Sequence, residues 1–144
     1  MSLPRPFEIF VSDPKPRTHV RSCTACYLDL GDVLVSAPEE GWLIHFLSDQ
    51  QWVMHWLLYL GRDGKEAVVA TEEPFGFVTD DAVRDRFDLT AGNPTVCADS
   101  FSEFLYRFWI ENEIWFRLNS GNSELPITEE QRRYAERLLT DTAT

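Results

Sequence analysis

Between residues 27 and 78 the apolar side chains come in short runs: Val33-Leu34-Val35, Trp42 to Leu47, Trp52 to Leu60, and Ala67 to Thr71. Turn formers separate them, at Pro38-Glu39-Glu40-Gly41, Ser48-Asp49-Gln50-Gln51 and Gly61-Arg62-Asp63-Gly64-Lys65. Runs of this length, rich in β-branched and aromatic residues, predict strands. The Asp63-Gly64 pair tolerates positive φ and predicts a hairpin. The 52–60 run is apolar on both alternating faces, which suits a central strand covered on both sides. It has a helical rival, because Ser48 and Gln51 also read as a capping box, with Trp52, Trp56 and Leu60 on one stripe and Gly61 as the stop. The hairpin turn and the β-branched run that follow favour the strand.

Beyond residue 99 the period changes. Ser100-Phe101-Ser102-Glu103 is a capping box, and Phe101, Phe104, Leu105, Phe108, Trp109, Trp115 and Phe116 then recur at helical spacing. This predicts a helix over 100–118, stopped by Gly121. Thr128 and Gln131 open a second helix over 129–139, and Asp80 to Phe87 predicts a short third one. Residues 1–20 carry Pro4, Pro6, Pro14 and Pro16 around one apolar patch, Phe7 to Val11. Proline lacks a donor and restricts its predecessor, so this segment reads as an extended arm. The economical assembly is a single α+β domain over 21–144, an antiparallel sheet of about five strands with helices packed on one face. Its predicted core is Trp42, Ile44, Phe46, Trp56, Leu58, Val68, Phe101, Phe104, Leu105, Phe108 and Trp109.

Charge changes the picture of what such a domain would meet. The net charge is −11, and residues 22–103 carry 4 bases against 15 acids, while the two flanks cancel. Affinity for a phosphate backbone depends on basic patches, so nucleic acid is disfavoured as a partner. Anionic lipid is disfavoured for the same reason, and basic proteins are attracted, fastest at low salt. No apolar run is long enough for a membrane span. The start Met1-Ser2-Leu3-Pro4-Arg5-Pro6 has no secretory signal pattern, so the expected setting is cytoplasmic.

Candidate chemistry is sparse. Cys23, Cys26 and Cys97 are an odd number outside a secretory context, which argues against a disulfide framework. Cys23-Thr24-Ala25-Cys26 has metal-ligand spacing, and Cys97 with His19 would complete four ligands, but no second closed pair is present. His45 and His55 lie in two apolar runs expected to pair, so they could approach across the ladder, with Asp49 or Glu40 near them. An enzymatic or small-molecule-binding domain would use this pair and the aromatic wall around it. There is no G-x-S-x-G elbow and no phosphate-binding glycine loop. The reading is therefore of a protein without catalysis, metal or cofactor. The remaining clusters are acidic: Glu39 and Glu40, Glu72 and Glu73, then Asp80, Asp81 and Asp85. All fall in turn-like segments, where binding surfaces concentrate, and they are the candidate partner-binding residues.

Two strands, a hairpin with an Asp-Gly turn, an acidic segment with Phe75-Gly76-Phe77, and Cys97-Ala98-Asp99-Ser100-Phe101-Ser102-Glu103-Phe104-Leu105 opening an aromatic helix together resemble the SUKH superfamily. The resemblance covers about residues 27–118. It departs from the family at the N-terminus, where a proline-punctuated arm and Pro38-Glu39-Glu40-Gly41 replace a helix and an Asn-Gly-Gly-like turn. The resemblance implies either a regulatory scaffold of the Smi/Knr kind or, as in many bacterial members, an immunity protein that neutralises a toxin, often a nuclease. An acidic immunity protein suits a basic toxin, since complementary fields speed capture.

Overall fold

The computed structural model describes residues 2–31, 35–37, 41–72, 95–121 and 126–142. Among these residues, six antiparallel strands form one sheet: β1 (Tyr27–Leu28), β2 (Val35–Ala37), β3 (Gly41–Ser48), β4 (His55–Gly61), β5 (Glu66–Thr71) and β6 (Thr95–Ala98). The order is β1-β3-β4-β5-β6, and β2 also pairs with β3. β2 meets the Gly41 end of β3 and β1 the Ser48 end, so the two short strands share one outer edge. The sheet is thus five strands wide, and with its helices it makes the expected α+β fold. The 52–60 run is strand from His55 onward, as its β-branched neighbour suggested. Gly64 sits at φ +84° in the β4–β5 turn, where the Gly61 N–H donates to the Lys65 carbonyl at 2.8 Å. The Asp-Gly signal therefore found its hairpin.

One face of the sheet carries the main core. Phe46, Leu47, Leu58, Leu60 and Val68 meet Phe7, Phe10, Phe101 and Phe104 from two helices, α1 (Arg5–Ser12) and α3 (Phe101–Asn119). Phe46 is its hub, with edge-to-face ring contacts to Phe7 at 5.7 Å, Phe101 at 5.4 Å and Phe104 at 5.5 Å. Such geometry sets positive ring edges against negative ring faces. Of the predicted core, Ile44, Trp56, Leu105 and Phe108 pack as partly buried residues around this cluster. Trp42 and Trp109 are only half-buried, and Trp115 of the helical stripe is exposed. Ile110 is buried in its place. The opposite face of the sheet is buried as well, at Leu43, His45, Leu57, His55 and Val69.

The N-terminal arm is not extended. It forms α1 and a short second helix, α2 (Pro14–Thr18). Pro4 is the N-cap of α1, and Pro6, Pro14 and Pro16 stand in the first turns of the two helices, where the missing N–H has no intrahelical partner to lose. Asp13 separates them, its side chain accepting from the Lys15 N–H at 2.9 Å. Phe7 and Phe10, one turn apart, then point into the core.

Capping at the other helices follows the sequence closely. The Glu103 N–H donates to Ser100 Oγ at 3.1 Å, although the Glu103 carboxylate reaches back to the Asp99 N–H rather than that of Ser100. The final helix, α4 (Glu129–Thr142), opens with a reciprocal box between Thr128 and Gln131, at 3.2 and 2.9 Å. α4 packs on α3 through Tyr134, whose hydroxyl donates to Glu111 and whose ring meets Tyr106. The helix expected over Asp80 to Phe87 lies outside the described residues.

Candidate functional site

Among the described residues, the one group of three His, Cys, Asp or Glu side chains close enough to share an ion lies on the sheet face away from the helices, at the Ser48 end of β3. A bulge creates it. β3 pairs regularly with β4 up to His45–Leu57, shifts register, and resumes at Leu47–Trp56 and Ser48–His55. In a regular strand, residues three apart point to opposite faces. The extra residue puts both Phe46 and Leu47 on the helix side and turns Ser48 to the face that already holds His45. His55, directly opposite Ser48 on β4, joins them.

Asp29 enters from the chain following β1. Its N–H donates to the Phe46 carbonyl at 2.9 Å, extending the β1–β3 pairing past the bulge. Ser48 Oγ then stands at the meeting point. It donates to Asp29 Oδ2 at 2.7 Å, and lies 2.8 Å from both His45 Nε2 and His55 Nδ1. The two imidazoles pack edge to face at 5.1 Å. His45 is 1% exposed, and His55 and Ser48 are 0% exposed.

Trp52 closes the outer side. The 49–54 turn is held by the Asp49 carboxylate, which accepts from the Val53 and Met54 N–H groups at 2.8 and 2.9 Å. This turn puts Trp52 at φ +57°, a left-handed conformation that a bulky residue adopts only when its surroundings impose it. The indole covers His55 at 4.8 Å and donates Nε1–H to Asp29 Oδ2 at 3.1 Å, while remaining 42% exposed. Tyr27 and Val53 are exposed beside it.

Protonation states follow from these contacts. Burial lowers the pKa of both histidines, and the attraction of Asp29 only partly offsets it, so both rings are neutral at pH 7. Burial opposes ionisation of Asp29 too, but hydrogen bonds from Ser48 and Trp52, with the nearby imidazoles, outweigh it and hold the carboxyl below its usual range. The 3.7 Å approach of His45 Nε2 to Asp29 therefore joins a carboxylate to a neutral ring.

These residue types could suggest a hydrolytic triad, but the wiring differs. In a triad the carboxylate sits behind the imidazole and the hydroxyl faces substrate. Here the carboxylate takes the hydroxyl proton directly, and the hydroxyl is sealed.

The expected approach of His45 to His55 is thus present, with Asp29 supplying the carboxylate in place of Asp49 or Glu40. Asp49 instead builds the turn, and Glu40 lies outside the described residues. So do Glu39, Glu73, Asp80, Asp81 and Asp85. Glu72 is exposed immediately after Thr71, which pairs with His55, so it stands at the same end of the sheet as the cluster. Cys23, Cys26 and Cys97 are free thiols, and among the described residues neither they nor His19 belong to a group of metal-capable ligands. Burial raises the Cys97 thiol, which favours its inert form. Among the described residues no helix is long and apolar enough to cross a membrane.

Fold and site together define a small α+β protein with a closed polar cluster at one end of its sheet. Compared with known proteins, the chain matches no family model, no curated protein and no solved structure.

Proposed function

We propose that this chain is a non-enzymatic binding module for a basic protein, of the toxin-neutralising kind that its SUKH-like features imply. The observation that carries this reading is the charge distribution: residues 22–103, which contribute every described strand of the sheet, hold 15 acids against 4 bases. A surface so biased captures a cationic partner through long-range attraction and rejects polyanions. Two features support it. The residues with catalytic potential are turned inward on one another, with Ser48 sealed. The rim above them exposes Tyr27 and Trp52, the residue types that dominate binding energy at interfaces. The acidic residues Glu39, Glu40, Glu72, Glu73, Asp80, Asp81 and Asp85 are the proposed contact set.

The test is the product of the gene beside its own, prepared as an inactivated toxin variant and titrated calorimetrically. A 1:1 complex, with growth restored when the active toxin and this chain are co-expressed, is the expected result. No heat of binding and no rescue, together with a metabolite that raises the melting temperature, would move the protein to the small-molecule class instead.

A further inference from the structure

We propose that Asp29, His45 and His55 form a binding site for one divalent transition-metal ion of the zinc class, with Ser48 beside it. One carboxylate oxygen and two imidazole nitrogens lie within 4.8 Å of one another, on three different segments of the chain. A tetrahedral zinc site with ligand bonds of about 2.0–2.2 Å sets its ligand atoms roughly 3.3–3.5 Å apart. His45 Nε2 and Asp29 Oδ2 are already at 3.7 Å, so modest side-chain closure suffices. The donor set of two nitrogens and an oxygen suits zinc, and suits calcium or magnesium poorly.

The argument beyond proximity is a count of protons. Ser48 has a single hydroxyl hydrogen, and Asp29 takes it. His45 Nε2 and His55 Nδ1 can then bond to Ser48 only by donating, which leaves the outer nitrogen of each neutral ring as a lone pair. Backbone groups beside the rings, at Leu47 for His45 and at Trp52 for His55, favour protonation of each. His55 Nε2 is buried with no hydrogen bond of ordinary geometry. A cation resolves both conflicts. Three lone pairs point inward to the ion, and each ring proton moves to its outer nitrogen. Metal-bound histidines characteristically donate a hydrogen bond from that outer nitrogen. The ion would also balance the Asp29 carboxylate, whose nearest ion-pair partner among the described residues is His45. Trp52 Nε1, bonded to Asp29, would orient the carboxylate from outside. The closed surroundings make this a structural ion that ties β1 and the 49–54 turn to the sheet.

The test uses full-length protein stripped with chelator and returned to Zn2+. Native mass spectrometry should show one zinc per chain, a raised melting temperature, and loss of the ion in Asp29→Asn, which keeps the shape of the side chain. Cys23→Ser and Cys26→Ser should retain it. Trp52→Phe should weaken binding by about tenfold or more, in line with the effect of residues behind metal ligands. Two-bond 1H–15N spectra of the wild-type rings give a readout that no misfolded variant can blur: zinc should move the proton of His45 from Nε2 to Nδ1 and that of His55 from Nδ1 to Nε2. Stoichiometric zinc that survives Asp29→Asn but not Cys26→Ser, or ring tautomers unchanged at saturating zinc, would overturn the proposal.

Discussion

Ser48 is the residue on which the polar cluster turns. It satisfies a carboxylate and two ring nitrogens at once, and its own side chain and both rings are buried. Ser48→Ala would leave all three partners short of a hydrogen bond, at roughly 1–3 kcal/mol for each buried group left unsatisfied. A loss of at least about 2 kcal/mol in urea denaturation is the expected outcome, and a change under 0.5 kcal/mol would show that water replaces the hydroxyl. Acid should act on the same groups. His45 and His55 have folded-state pKa values below the unfolded value, so below about pH 6.5 the unfolded chain binds more protons. Their contribution to stability is complete above that pH and is lost as pH falls through the folded values, while the facing carboxylates Asp29 and Asp49 soften the loss. The urea midpoint of metal-free protein should therefore drop between pH 7.5 and 5. A flat profile would mean that the rings are as solvated as in the unfolded chain.

At the scale of elements, α1 belongs to the core. Phe7 is 2% exposed and lies against the rings of Phe46 and Phe101. Phe7→Ala should lower stability by about 3–5 kcal/mol, close to the effect expected for the central Phe104. A denaturation midpoint unchanged by Phe7→Ala would place the helix outside the cooperative unit. The elements that could be read from sequence are those with local signals: the Asp63-Gly64 hairpin, and the boxes at Ser100–Glu103 and Thr128–Gln131. The prolines of residues 4–16 misled because a proline in a first helical turn and a proline in an extended arm satisfy the same local constraint. Tertiary burial of Phe7 and Phe10 decides between them. The candidate site was half legible. Alternation along two paired strands brings His45 toward His55, but strict alternation sends Ser48 to the other face. Only the bulge at Phe46 and Leu47, which no local residue announces, turns it back, and Asp29 arrives by strand pairing 19 residues before Ser48.

Over the whole molecule, the sequence segment with the acidic excess is also the one that supplies the described strands, and this connects the fold to the proposed partner. Charges at the rim of an interface act mainly on the rate of encounter, through a field that salt screens over about 10 Å at 0.1 M. The four substitutions Glu72→Lys, Glu73→Lys, Asp80→Lys and Asp81→Lys, made together, reverse the densest part of that field. All four lie in turn-like segments of the sequence. The measurement that bears most directly on the account is stopped-flow association with the proposed basic partner, across a salt series. Association should slow steeply as salt rises, and the quadruple variant should capture its partner about tenfold more slowly or worse. A rate independent of salt, or a quadruple variant as fast as the wild type, would contradict the claim that this acidic surface exists to capture a basic protein.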